Sequence, residues 1–304
     1  MGYHQQFHRA AIERGIPEDE VSKFAEFLRF AIWTSGRPNG VPVGRKGGLP
    51  RLPVGMEWPS CEYGPLPFVA SLDCAALPGV DGLALPADGS LLFFLHHEWA
   101  WDACSITDEQ KFARVVYAPA GIDTATAEEP DHGEAMFCNV TLDFVGREYD
   151  LFATVTAELP SWFEDDDEAS QSDDQEHLAR NLAHGKELCA LAGELWPESN
   201  GAAVHLGGYS RGIGELSTDN LYTTPETQMA QDILEAREKA GELVVPPEEW
   251  SLRLEQEALR VMREWVPLAQ FVPEDVYRAR FLIRHDDLAA GRFDKALSFT
   301  AFTE

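Results

Sequence analysis

Short apolar runs punctuated by Pro, Gly and Asp constrain this chain more than any other feature: LPFVASLD from Leu66, SLLFFLHH from Ser90 and FARVVYAP from Phe112. Runs of this length suit strands, and the breakers end each one before a helix of useful length forms. MFCNVTLDF and YDLFATVTA follow on either side of VGRE. In the first, Cys138, Val140, Leu142 and Phe144 alternate with polar neighbours, so the pair predicts an antiparallel hairpin. The C-terminal end returns to the pattern with VPLAQF, ARFLIRH and KALSFTAF. Setting these three runs against the first three aligns Phe93 with Phe281, Leu95 with Ile283, His97 with His285 and Glu98 with Asp286. An internal duplication, two β units building one sheet system, is the expectation.

Helical spacing occurs elsewhere. In IPEDEVSKFAEFLRFAIW, Pro17 and three acids suit a helix start, and Val21, Phe24, Phe27, Leu28, Ala31 and Ile32 predict one amphipathic N-terminal helix. HLARNLAHGKELCALAGELW predicts another, weakened by Gly185 and Gly193. TPETQMAQDILEAREKA and PPEEWSLRLEQEALRVMREW predict two more, the last with a stripe of Trp250, Leu254, Ala258, Val261 and Trp265. The fold class is therefore α+β, mainly β, with antiparallel sheets, an N-terminal helix and several helices in the C-terminal half. Residues 1–40 read as an N-terminal helical segment and loop, and residues 41–304 as one domain. That domain carries an acidic loop at 164–176 and a helical insertion at about 225–264. A chain of 304 residues buries roughly three quarters of its unfolded surface, so no covalent staple is needed.

Cys61, Cys74, Cys104, Cys138 and Cys189 are odd in number, widely spaced and without a CxxC, which suits reduced, mostly buried thiols better than a zinc site or a disulfide framework. No apolar run approaches the roughly 20 residues of a membrane span, and MGYHQQFHRAAIERG lacks the apolar core of a secretory signal, so a cytoplasmic location with no membrane partner is expected. The net charge of −28 makes phosphate backbones repulsive partners, which argues against nucleic acid. The run EDDDEASQSDDQE holds eight of the acids, yet without it the balance is still −20, so acidity is general and steers basic partners toward the chain.

KGGLPRLPVGMEWPSC suits no regular element. Pro50, Pro53 and Pro59 fix φ and remove donors, Gly47 and Gly48 permit a sharp turn, and Trp58 offers a large apolar face. It reads as a rigid loop that clamps onto a sheet, with Trp58 as packing first and as a ligand-facing residue second. GGLPRLPVGMEWP followed by PLPFVASLD resembles the opening of the YwqG-like bacterial family of unknown function. HLGGY, PLAQF and ARFLIRHDDLAAGRFDKALSF resemble its later elements, so the resemblance covers Gly47 to Phe302, with residues 225–264 less clearly matched. It departs where SRGIGEL and VPEDVYRAR stand in place of the family's usual runs. The resemblance implies a mainly β, α+β bacterial domain with internally related halves, and it transfers no catalytic residue.

Three constellations invite chemistry. LHHEWAWD holds metal-ligand types, but neighbouring strand residues face opposite ways and neither HExxH nor Hx3H spacing occurs, so no metal or other cofactor is expected. The acidic run lacks the central Gly and terminal Glu of a calcium loop. HLGGYSRGIGE brings His205, Tyr209, Ser210 and Arg211 together on a Gly-rich backbone, a hydroxyl and a guanidinium that suit a carboxylate or phosphate, although its Gly spacing is not that of a phosphate loop. GYSRG also matches the letters of the G-x-S-x-G elbow. The first reading is a non-catalytic interaction, immunity or regulatory module that binds a basic protein; the second is a small-ligand binder or hydrolase centred on HLGGYSRG.

Overall fold

From Leu91 to Leu95 the SLLFFL run is buried at every residue, on both faces: Leu91, Phe93 and Leu95 join the main core, while Leu92 and Phe94 join a smaller one. A strand sealed on both sides reads as a continuous apolar run and needs a cover on each face. The computed structural model, which describes residues 2–103, 106–130, 147–160, 182–197, 202–210, 224–271 and 277–302, shows both covers.

The chain opens with α1 (Tyr3–Glu13) and α2 (Glu18–Ala25), then β1 (Arg29–Ser35) and β2 (Gly44–Lys46). Here the N-terminal expectation is corrected: the helix stops at Ala25, and Phe30, Ala31 and Ile32 lie in a strand. RFAIWTS is aromatic and β-branched and is almost wholly buried, so its apolar positions satisfied a helical period by coincidence. Helix α1, which buries Phe7 and Ala11, had no counterpart among the expected helices. Next come β3 (Arg51–Pro53), β4 (Ser60–Cys61), β5 (Gly64–Pro65), β6 (Phe68–Asp73) and β7 (Ser90–Leu95). The first half closes with α3 (His97–Trp101), α4 (Ile106–Glu109), β8 (Ala113–Ala118) and β9 (Thr124–Thr126).

The second half runs β10 (Tyr149–Glu158), α5 (Gly185–Leu195), β11 (Val204–Gly207), α6 (Pro225–Lys239) and α7 (Trp250–Glu264), then β12 (Trp265–Phe271), β13 (Tyr277–Arg284), α8 (His285–Ala289) and β14 (Leu297–Phe302). The expected helices at the C-terminal side of the chain are thus present. YDLFATVTA is β10, which pairs with β2 through Tyr149 to Leu151 and with β1 through Phe152 to Glu158. Its expected hairpin partner, residues 136–144, and the acidic loop 164–176 lie outside the described residues.

Ten strands form one antiparallel sheet in the order β14, β13, β12, β11, β1, β10, β2, β6, β7, β8. From the centre outward this order is palindromic. β1 and β10 meet in the middle, flanked by β11 and β2, then β12 and β6, β13 and β7, β14 and β8. The halves also exchange their first strands, since β1 pairs with β11 and β10 with β2. The residue pairs aligned by sequence occupy matching places: His97 and His285 each open the short helix that follows β7 or β13. Phe93 and Phe281 meet at 5.4 Å between ring centroids, and Phe93 meets Phe271 at 5.5 Å, so the inner faces of the halves pack on each other. Each such pair adds about 0.5–1.5 kcal/mol beyond the area it buries.

Both halves solve the outer face by the same detour. Gly47 and Gly48 follow β2 at φ 68° and 73°, and Gly207 and Gly208, the last residue of β11 and the next, have φ 71° and 70°. Two successive left-handed residues, natural only for glycine, lift the chain off the sheet. In the first half the KGGLPRLPVGMEWPSC stretch then crosses the outer face, where Leu52 and Trp58 cover Leu66, Phe68, Leu92 and Phe94. In the second half α6 and α7 cross it, and Met229 and Val261 cover Leu282 and Phe299. The Pro-rich loop and the helical segment are two covers for one kind of surface.

Candidate functional site

HLGGYS begins as the fully buried strand β11 and leaves it through the Gly207 and Gly208 turn. A Cβ on Gly208 would collide with the Glu158 carboxylate and come within 2.9 Å of the Ala31 Cβ. The close approach lets the Tyr209 amide donate to Glu158 Oε2 at 2.8 Å, while Trp33 Nε1 donates to Glu158 Oε1 at 2.6 Å. Glu158, itself buried, thereby ties the centre of the sheet to the turn.

Tyr209 is held from every side. Its hydroxyl donates to the Phe27 carbonyl at 2.7 Å, its carbonyl accepts from Gln270 Nε2 at 2.9 Å, and the Arg29 guanidinium lies 4.2 Å from its ring centroid. Arg29 in turn donates to the Gly208 and Met262 carbonyls, each at 3.2 Å, so one cation joins the turn to the end of α7. Burial pushes the Tyr209 phenol above its ordinary range, with Arg29 pulling the other way. Four anchors on one tyrosine describe a locked turn rather than a mobile recognition loop.

Strand register explains the neighbours. Trp33, His205, Gln270, Arg280 and Phe299 are directly opposite one another across β1, β11, β12, β13 and β14, so they share the outer face. The His205 ring stacks on Trp33 at 4.2 Å with 12° between planes. Arg280 is buried, and burial pulls its guanidinium down to about 10 against the opposing pull of Glu226. Glu226, at the start of α6, is also buried; its Oε1 accepts from Ser210 Oγ at 2.5 Å, while its Oε2 has no hydrogen-bond partner among the described residues. Thr224 caps α6 by accepting from the Thr227 amide at 3.2 Å, which fixes where Glu226 enters. A half-buried serine thus meets a buried carboxylate of α6, whose charge acts on the buried Arg280 guanidinium.

Tyr209 and Ser210 stand at the turn and His205 in the strand that leads into it; Arg211 lies outside the described residues. Trp58 is elsewhere: Nε1 donates to the Leu66 carbonyl at 2.8 Å and the ring meets Phe94 edge-on at 5.7 Å, on the first half. Ser210 is poised against a carboxylate, while His205 is stacked flat on an indole in the strand. A nucleophilic serine needs a base that takes its proton near neutral pH, and a carboxylate is weak in that role. Glu158, Glu226, Gln270 and Arg280 escaped sequence reasoning. An arginine inside the apolar run ARFLIR was the available signal, since strands sealed on both faces seldom carry one unpaired.

The LHHE run behaves differently from a strand end with two opposed histidines. The strand stops at Leu95, His96 caps α3 and stacks on Trp99 at 3.8 Å, and His97 opens the helix, where burial pulls its imidazole down to about 3. No cluster of three or more His, Cys, Asp or Glu among the described residues is arranged to hold a metal ion. Cys74 is a buried free thiol pushed up to about 12, Cys61 is a partly buried free thiol, and Cys189 is partly buried.

A family model described as Domain of unknown function (DUF1963) matches residues 44–300. No curated protein matches the chain.

Proposed function

Since this chain belongs to the DUF1963 family, a domain of unknown function that assigns it no reaction, we propose from its own charge distribution that it is a non-catalytic interaction module, of an immunity or regulatory kind, which binds a basic protein. One observation carries this reading. Several surface cations are already taken up by neighbouring acids: Arg9 by Glu13 at 2.8 Å, Arg14 by Glu194 at 2.5 Å, Lys111 by Asp108 and Arg292 by Asp287 at 2.7 Å each. With 52 acids against 24 bases, the surplus negative charge is left to solvent and to whatever binds there.

A basic protein gains from such a surface at low salt and loses the gain as ions screen it, whereas a nucleic-acid backbone is repelled. Among the described residues no helix is long and apolar enough to cross a membrane. The YwqG-like affinity, a bacterial origin and a cytoplasmic location belong to the same proposal. So does the division at residue 40 into an N-terminal segment and a domain, although β1, which precedes it, sits at the centre of the sheet and the family match begins at residue 44.

The test is a tagged pull-down at low and high salt, followed by titration calorimetry with the purified partner. A stoichiometric complex with a basic protein, weakened about tenfold or more by salt, supports the reading. A salt-insensitive complex with an acidic or neutral partner overturns it. The short Ser210 to Glu226 bond favours the second reading, a small-ligand site or hydrolase at HLGGYSRG. A hydrolytic activity abolished by Ser210→Ala with the fold intact would establish that one instead.

A further inference from the structure

We propose that the open cleft on the outer face of the first half binds a small zwitterion of the amino-acid type, its carboxylate toward Arg45 and Arg51 and its ammonium toward Asp150. The pseudo-symmetry of the sheet leads there. In the second half the outer row Trp33, His205, Gln270, Arg280 is closed by α6, whose Glu226 carboxylate enters beside Arg280 and accepts from Ser210. The matching row in the first half, by the same register, is Asp150, Arg45, Ser71 and Leu92. There the Pro-rich loop docks over Leu92 and Phe94, and the carboxylate that meets the row is Glu148, which pairs with Arg45 from just before β10.

What remains is a cleft of about 430 Å³ lined by Arg45, Arg51, Ser71, Ser90, Thr124 and Asp150. Its size lies within the roughly 300–1,000 Å³ typical of small-molecule sites. Both guanidiniums are already oriented. Arg45 Nη1 donates to Glu148 Oε1 at 2.6 Å and Nη2 to the Leu49 carbonyl at 2.7 Å; Arg51 Nη2 donates to the Thr124 carbonyl at 2.9 Å and its hydroxyl at 3.3 Å. A guanidinium has five donors, so each keeps some for a ligand, and prior anchoring lowers the cost of ordering it on binding.

Charge selects between ligands. A simple anion approaches a chain of net charge −28 against repulsion, whereas a molecule with one carboxylate and one ammonium carries no net charge. Carboxylate geometry matches a guanidinium fork, and Asp150, opposite Arg45 in the register, is placed to take the ammonium. This site is independent of the acidic-surface reading, which concerns a protein partner and the solvent-facing acids.

The experiment uses the full chain, the twenty L-amino acids singly, and for any that raises the melting temperature its methyl ester and its N-acetyl derivative, with calorimetric titration of each. We expect at least one amino acid to bind, its ester and its N-acetyl form to bind at least tenfold more weakly, and Arg51→Ala to weaken the parent at least tenfold. Asp150→Asn should weaken the parent while leaving the N-acetyl form unchanged. Arg51→Lys, which keeps the charge without the fork, serves if Arg51→Ala fails to fold. The proposal is overturned if no amino acid binds, if ester or N-acetyl form binds as well as the parent, or if the folded Arg51 variants bind unchanged.

Discussion

The Gln110 side chain pairs with both backbone groups of Ser298: Nε2 donates to the Ser298 carbonyl at 3.0 Å, and the Ser298 amide donates to Oε1 at 2.7 Å. The primary amide thus imitates one rung of a ladder and occupies part of the outer edge of β14. That edge would otherwise present unpaired donors and acceptors, a surface that proteins avoid leaving open. Because Gln110 follows α4 of the first half and Ser298 belongs to the second, the contact also fastens the two halves.

Gln110→Ala should leave the buried Ser298 groups without partners and cost about 1–3 kcal/mol. Urea denaturation checks the magnitude. Hydrogen exchange checks the location, since the Ser298 amide should exchange faster while amides of β1 and β10 stay protected.

Glu109, beside Gln110, is buried, and desolvation pushes its carboxyl up to about 8 from an ordinary 4.5, with Ser298 and Thr300 offsetting part of the effect. The native state therefore holds this proton where the unfolded chain has released it. Its contribution is fully present below about pH 4.5 and is lost as pH rises through about 8. Stability curves from pH 4 to 9 should fall across that window, and Glu109→Gln should flatten the fall. An unchanged slope in the variant would show that another group carries it.

Gly48 and Gly208 hold matching places after β2 and β11, yet they should not be equally replaceable. A Cβ at Gly208 meets the buried Glu158, while one at Gly48 meets the half-exposed Glu148, whose side chain is free to swing away. Each alanine suffers a left-handed φ worth about 1–3 kcal/mol. Gly208→Ala should cost clearly more than Gly48→Ala in melting temperature, and it should also disturb the Trp33 fluorescence that reports on Glu158.

Glu226→Ala removes a buried carboxylate that accepts from Ser210 and should destabilise by about 1–3 kcal/mol, the usual cost of leaving a polar group without its partner. Ser210→Ala removes only a donor and should cost about 1–3 kcal/mol. The double variant Glu226→Ala with Ser210→Ala should cost less than the sum of the two single losses, because the two side chains share one hydrogen bond. A cycle of four denaturation curves measures the coupling.

Local patterns determined a good deal of this protein. The strands β6, β7, β8, β12, β13 and β14, and the helices α6 and α7, were legible because each is a short apolar run or stripe bounded by its own breakers. The repeat was legible because Phe93 stands four residues before His97, as Phe281 stands four residues before His285. His205, Tyr209 and Ser210 were legible as a group because they are adjacent. Only the tertiary structure decided that RFAIWTS is the central strand and not a helix, since a segment buried on every side carries no periodic mark of which element it is. Only it joined Ser210 to Glu226 and aligned Trp33, His205, Gln270 and Arg280 in one row. The physical reason is that whether a polar residue is buried, paired or open to a ligand depends on what crosses above it. In one half that is a helix carrying a carboxylate and in the other a proline-rich loop, and the covered residues themselves do not encode which of the two crosses them.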